Sequence, residues 1–235
     1  MMSNPLLLAH RGHWHGHCVE NTLPAFHRTL QIPASECHGL ECDWQQLDDE
    51  TPESWVVFHD KTIQRLSNNN SQLPPTPGMV LFQYGHVGRL PTLTDMCDWI
   101  QTISGPMIMN IELKSGTPRG LRYLIHALNN ANNNGAVTFI YSSFDPAIMA
   151  TLFRLNTIQI SGLIRQFEDL DQWPDADHRI QFIAMRHDAI TSKIQSAIAQ
   201  KGYPLGVYFS DQLSYQTHRV DVLKWPNLGA VFTES

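Results

Sequence analysis

The feature that most constrains this chain is an alternation. Short apolar, β-prone runs are separated, again and again, by stretches with helical periodicity. The candidate strands are Leu6–His10, Gly39–Gln45, Met107–Glu112, Thr138–Ser142, Gln159–Leu163, Phe182–Met185, Leu205–Ser210 and Gly229–Thr233. Between them lie helical patterns at Thr22–Gln31, Leu93–Ile103, Pro118–Asn132, Pro146–Leu155, Thr191–Lys201 and Leu213–Lys224. Thr117-Pro118 and Asp145-Pro146 each place a capping side chain before a proline at the first helical position. Strict alternation of the two periods calls for parallel strands joined by crossover helices, an α/β architecture. Eight strands in this length fit a (β/α)8 or TIM barrel, although a doubly wound open sheet shares the pattern.

Two places break the rhythm. Residues Leu47–Thr92 carry an acidic turn (Asp48-Asp49-Glu50), a further strand at Ser54–Phe58, then Asn68-Asn69-Asn70 and Pro74-Pro75-Thr76-Pro77. They read as a small insertion after strand 2, on the side of a barrel where loops carry function. Arg165–Ile180 shows only a short helical turn, and no helix pattern follows the last strand, so an eighth helix is expected to be short or missing. No repeat and no linker divides the chain, and one barrel domain over residues 1–235 is the expectation.

Composition then limits the class of partner. The chain has 235 residues and a formal net charge of −6, with no Lys/Arg cluster, which speaks against nucleic acid. The run Leu6-Leu7-Leu8-Ala9 is too short for a signal segment or a membrane span. The four cysteines form no C-x-x-C pair and no dense framework, as expected of a reducing compartment. A soluble, cytoplasmic protein, monomer or homodimer, with a small-molecule substrate is the reading that follows.

Certain polar residues fall where strands meet loops. Glu41 and Asp43 flank Cys42 in a strand, so the two acids share a face. Glu112 ends another apolar strand, with Lys114 two residues on. Three converging carboxylates would suit a hard, oxygen-preferring divalent cation: Mg2+ or Ca2+, with Mn2+ as a third option. On spacing alone, a solvated edge or a salt-bridged rim is the plainer reading of Glu-x-Asp. His10 follows Leu6–Ala9 and His59 follows Trp55–Phe58, both at the catalytic rim of a barrel. A pair of imidazoles there could divide proton removal and proton donation in a displacement at phosphorus; a lone histidine at a strand end is more often just part of the core. Arg11 and Lys114 could meet a phosphodiester, or could simply pair with neighbouring acids.

Taken together, these residues resemble the glycerophosphodiester phosphodiesterases, barrels of the type associated with phosphatidylinositol-specific phospholipase C. The matching strings are His10-Arg11-Gly12, Glu20-Asn21-Thr22 with Pro24-Ala25-Phe26, Gly39-Leu40-Glu41-Cys42-Asp43, Val56-Val57-Phe58-His59-Asp60 with Arg65-Leu66, and Glu112-Leu113-Lys114. Fainter echoes follow at Pro91-Thr92-Leu93, Ser143-Phe144-Asp145 and Gly229-Ala230-Val231-Phe232-Thr233. The resemblance implies metal-dependent cleavage of a glycerophosphodiester to glycerol 3-phosphate and an alcohol. It implies His10 and His59 as the general acid/base pair, Glu41, Asp43 and Glu112 as metal ligands, and Arg11 and Lys114 as phosphate contacts. Water attack and a route through a cyclic phosphate both stay open. So do a lyase-type cleavage of a larger phospholipid-like diester and a barrel that binds phosphodiesters without turnover.

The chain departs from the family pattern in three places. A longer acidic loop, Leu47–Ser54, precedes His59 and could shift it or narrow the entrance. Tyr208-Phe209-Ser210-Asp211 keeps an aromatic but loses an indole, which speaks against a choline-type head group. Thr233-Glu234 replaces a final Thr-Asp. Outside the resemblance lie His13, His15 and His17. They are read as a polar loop over the entrance, with a transition-metal site as the alternative.

Overall fold

A computed structural model describes residues 4–48, 51, 53–67, 72–155, 157–175 and 177–234. Asp49, Glu50 and Asn68-Asn69-Asn70, singled out above, lie outside the described residues.

The chain runs through β1 (Leu6–Ala9), α1 (Leu23–Thr29), β2 (Gly39–Gln46), β3 (Trp55–Val57), β4 (Val80–Gln83), β5 (His86–Arg89), α2 (Leu93–Gln101) and β6 (Met107–Leu113). It continues through α3 (Pro118–Ala131), β7 (Val137–Ser143), α4 (Pro146–Phe153), β8 (Gln159–Leu163), β9 (Ile180–Arg186), α5 (Ser192–Gln200), β10 (Leu205–Tyr208), α6 (Gln212–Val222) and β11 (Leu228–Thr233). Neighbouring strands follow the order β1, β11, β10, β9, β8, β7, β6, β2, and β1 also pairs with β2, so the sheet closes on itself. All of these pairings are parallel. The result is the (β/α)8 barrel that the alternation calls for, rather than the open sheet.

Alternation along each strand divides the apolar residues between two sides. Leu8, Ile140, Leu163, Phe182, Ala184, Ala230 and Phe232 pack together as the barrel interior. Their sequence neighbours turn outward onto the helices, where Ala9, Tyr141, Ile164, Ile183, Met185 and Val231 join the larger core. Capping follows the sequence signals. Thr117 Oγ1 accepts from Gly120 N, and Asp145 accepts from Ala147 N and Ile148 N, each ahead of a proline. Between β8 and β9 there is only a 3-10 turn, Phe167–Gln172, as expected from the weak helical pattern there.

The insertion has its own organisation. β3 runs antiparallel along the end of β2, pairing Trp44 with Val57 and Gln46 with Trp55. β4 and β5 form a hairpin that the sequence reading does not anticipate. Val56, Phe58, Ile63, Leu66, Leu81 and Leu90 form a small satellite core beneath it, together with Val19 of the loop after β1. That core ties the insertion to the loop after β1. Among the described residues, no helix is long and apolar enough to cross a membrane.

Candidate active site

The parallel register brings the acids together. Asp43 lies opposite Glu112 across the β2–β6 pairing, and Glu41 opposite Asn110. Parallel partners share a face, so Glu41, Asp43 and Glu112 all point into the barrel at its C-terminal end. One carboxylate oxygen from each lies within 4.8 Å of the other two, and all three residues are buried. Three acids this close are unfavourable without compensating charge.

The structure shows what compensates in part. Lys114 Nζ lies 2.9 Å from Asp43 Oδ1 and also pairs with Glu112. Arg11 Nε is 3.3 Å from Asp43 Oδ2, and Asn21 Nδ2 donates to the same oxygen at 2.7 Å. Burial disfavours the Asp43 carboxylate, but Lys114 and Arg11 outweigh it and hold its pKa well below the usual range. Glu41 is different. Burial and the repulsion of Asp43 push its pKa up to about 8. Its Oε2 accepts from the Arg11 backbone N–H at 3.0 Å, while its buried Oε1 has no hydrogen-bond partner. An orphaned, buried carboxylate oxygen inside an all-oxygen cluster fits a hard divalent cation.

Both histidines stand beside this cluster. His10 follows β1 directly. Its Nδ1 donates to Glu234, just beyond β11, and its Nε2 lies 3.8 Å from Glu41 Oε2. Burial would lower the His10 pKa, but the Glu234 carboxylate outweighs that and raises it to about 9. His59 Nδ1 donates to Asp60 Oδ1 at 2.6 Å, which directs Nε2 away from Asp60. The His59-Asp60 turn is held from below, since Gln45 Nε2 donates to the carbonyls of Phe58 and Asp60, both at 2.7 Å. Phe58 N in turn donates to the Asp43 carbonyl at 2.8 Å. His59 therefore sits beside the cluster despite the longer loop that precedes it.

A second layer of charge fixes Arg11. The backbone there has φ +58°, in the left-handed region, and Gly12 follows at φ +80°. Glu20, 1% exposed, accepts from Arg11 at 2.7 Å and from two nitrogens of Arg65 at 2.9 and 2.7 Å. Arg65 also donates to Asp60 at 2.7 Å, so a continuous chain of pairs links the two histidine motifs. Gln83 of the β4–β5 hairpin completes the clamp: it donates to the Glu20 carboxylate at 3.0 Å and accepts from Glu20 N at 2.7 Å.

Burial alone would raise the Glu20 pKa, but Arg11 and Arg65 outweigh it and bring it down to about 2, from an ordinary 4.5. A depressed carboxylate pKa contributes stability that is present above pH 4.5 and lost as pH falls through 2. The stability gap between the parent and Glu20→Gln is therefore expected to be on the order of 3 kcal/mol at pH 6 and to close towards pH 2. Urea unfolding midpoints at several pH values measure it; a gap independent of pH would show that Glu20 acts by packing rather than by charge.

Six of the seven residues singled out in the sequence line one cavity of about 260 Å3: His10, Arg11, Glu41, His59, Glu112 and Lys114. Asp43 lies under its floor, fully buried. Lys114, expected to meet phosphate, here bridges Asp43 and Glu112. His13, His15 and His17 are not among the residues lining the cavity. Trp14 stacks on Tyr84 of the hairpin turn, with His15 edge-on to both rings, while the rings of His13 and His17 lie 6.2 Å apart. Among the described residues these histidines belong to no group of three or more that could hold a metal ion.

Sequence reasoning missed Glu234 as the partner of His10, because the two are joined only when the barrel closes. It quoted Glu20, Asp60 and Arg65 within motif strings without giving them a task. The signal available was an acid adjacent to a rim histidine.

The family model described as "Glycerophosphoryl diester phosphodiesterase family" matches residues 10–194. No curated protein sequence matches the chain. Among solved structures, a Galdieria sulphuraria protein assigned as a glycerophosphodiester phosphodiesterase superposes with a TM-score of 0.72 at 18% identity, covering 97% of this chain and 93% of that one. A glycerophosphodiester phosphodiesterase from Parabacteroides distasonis gives 0.67 at 18% identity, covering 98% and 93%. An Oleispira antarctica phosphodiesterase, solved with the product sn-glycerol-3-phosphate, gives 0.67 at 18% identity, covering 97% and 92%. At these identities the solved structures speak for the fold, while the family match spans most of the chain and includes both histidines, all three clustered acids, Arg11 and Lys114. The chain belongs to the glycerophosphoryl diester phosphodiesterase family.

Proposed function

We propose that this protein hydrolyses glycerophosphodiesters to glycerol 3-phosphate and an alcohol, with a divalent cation held by Glu41, Asp43 and Glu112. The observation that carries this reading is the cluster of three carboxylates at the floor of a cavity lined by two histidines, in a chain of this family. When bound, the cation would supply Lewis-acid stabilisation of charge on the phosphoryl oxygens. His10 and His59 divide the proton transfers: one takes a proton from the attacking water, or from a glycerol hydroxyl whose cyclic phosphate is then opened by water, and the other delivers a proton to the departing alkoxide. Their carboxylate partners, Glu234 and Asp60, hold Nδ1 protonated so that Nε2 is the working atom of each ring. Arg11 and Lys114, both held beside Asp43, add positive charge that offsets the negative charge of the phosphodiester. The apolar interior below the site keeps water from the underside of the reacting group.

The test is release of glycerol 3-phosphate from a panel of glycerophosphodiesters with Mg2+, Mn2+ or Ca2+, before and after chelation. Turnover with at least one metal, lost on chelation and restored by adding the metal back, is the expected result. Undiminished turnover in excess chelator, or none with any metal, would overturn the proposal.

A further inference from the structure

The two sides of the cavity differ in kind. β1, β2, the end of β3 and β6 supply the charged half described above. The other half comes from the remaining strands and the residues just past them: Phe144 after β7, Leu163 on β8, Arg186 on β9, Tyr208 on β10 and Phe232 on β11. Among the described residues, Arg186 is the one charged residue in this second half of the lining, and the carboxylates of the lining are Glu41 and Glu112, both in the acidic cluster.

Aromatic walls can serve as cages for quaternary ammonium groups when their ring faces are open. The face of Phe144 is already covered by the Arg165 guanidinium, 4.2 Å from the ring centroid. Tyr208 meets Phe144 edge-on, at 80°. Phe209, also in the lining, stacks on His187 with centroids 5.2 Å apart. One face of Phe144 and one of Phe209 are thus occupied, the former by a cation. Arg186 uses Nε towards Asp188, at 2.5 Å, and makes no other hydrogen bond among the described residues. Its terminal nitrogens are the charged donors left without a partner among the described residues in this half of the lining.

Resting on the proposed phosphodiesterase reading, we infer that Arg186 is a specificity-determining residue that selects glycerophosphodiesters whose head group carries its own negative charge. The recognised chemistry is a carboxylate or a second phosphate, met by the Arg186 guanidinium, while a choline-type ammonium is repelled by Arg186 and Arg165.

Steady-state kinetics with bis(glycerophospho)glycerol and glycerophosphocholine test this on the metal-loaded enzyme. The parent enzyme is expected to favour the anionic diester in kcat/KM. Arg186→Gln is expected to lower the ratio of the two kcat/KM values about tenfold, the worth of one charge-assisted hydrogen bond, and to do so through KM. Arg186→Glu is expected to lower the ratio further than Arg186→Gln does. A parent enzyme that favours glycerophosphocholine, or a ratio unchanged in both variants, would overturn the inference and leave the phosphodiesterase reading standing. No turnover of either substrate with any divalent metal would instead overturn that reading, and this inference with it.

Discussion

Replacing His59 or His10 with alanine is expected to lower kcat by about 10²–10⁴-fold, with KM changed only a few-fold. Each imidazole is placed to serve a proton transfer that exists only as the reaction proceeds, so its loss falls on the transition state rather than on substrate binding. The two variants together are expected to cost far less than the product of the separate effects, because the proton transfers belong to one displacement. Neither change should unfold the barrel. The His59 side chain is 34% exposed and that of His10 16%, and both stand at the rim above the packed interior. Rate assays at saturating metal, with thermal unfolding of the same samples, separate chemistry from stability. Variants that retain more than a tenth of the parental kcat would remove these histidines from the mechanism.

The second large effect concerns the cation. Glu41→Gln keeps the shape of the side chain and an acceptor for the Arg11 backbone N–H, but removes a charge from the cluster. Loss of residues that merely support a metal ligand typically costs 10–100-fold in affinity or activity. Loss of a ligand itself is expected to lower metal affinity by about 100-fold or more, with activity partly regained at high metal concentration. Metal titration followed by calorimetry, alongside activity, reads both quantities. Unchanged affinity in Glu41→Gln would mean that the carboxylates form only an ion-pair network with Lys114 and Arg11.

The barrel strands could be read in the sequence for a physical reason. Parallel strands buried on both faces are nearly continuous apolar runs, and Met107–Ile111 or Phe182–Met185 stand out against amphipathic helices. The clustered acids could be read because a charged residue inside such a run marks where the interior opens to a site: Glu41 and Asp43 in β2, and Glu112 in β6. The β4–β5 hairpin could not. Its strands are short, half exposed and flanked by Pro and Gly, and each buries one residue, Leu81 and Gly88, too few to show a period. The Glu234–His10 pair was equally hidden, since 224 residues separate its members and only the pairing of β11 with β1 brings them together. Lys114 shows a third kind of limit. Its neighbourhood was evident, but whether an ammonium two residues past Glu112 turns to substrate or to Asp43 depends on a register that sequence alone does not state.

The most direct test of the whole account is anomalous X-ray diffraction from crystals soaked in Mn2+. The account predicts one strong peak, at roughly 2.0–2.6 Å from oxygens of Glu41, Asp43 and Glu112, with His10 and His59 on either side of it. A peak held elsewhere, or none at a metal concentration that supports turnover, would contradict it.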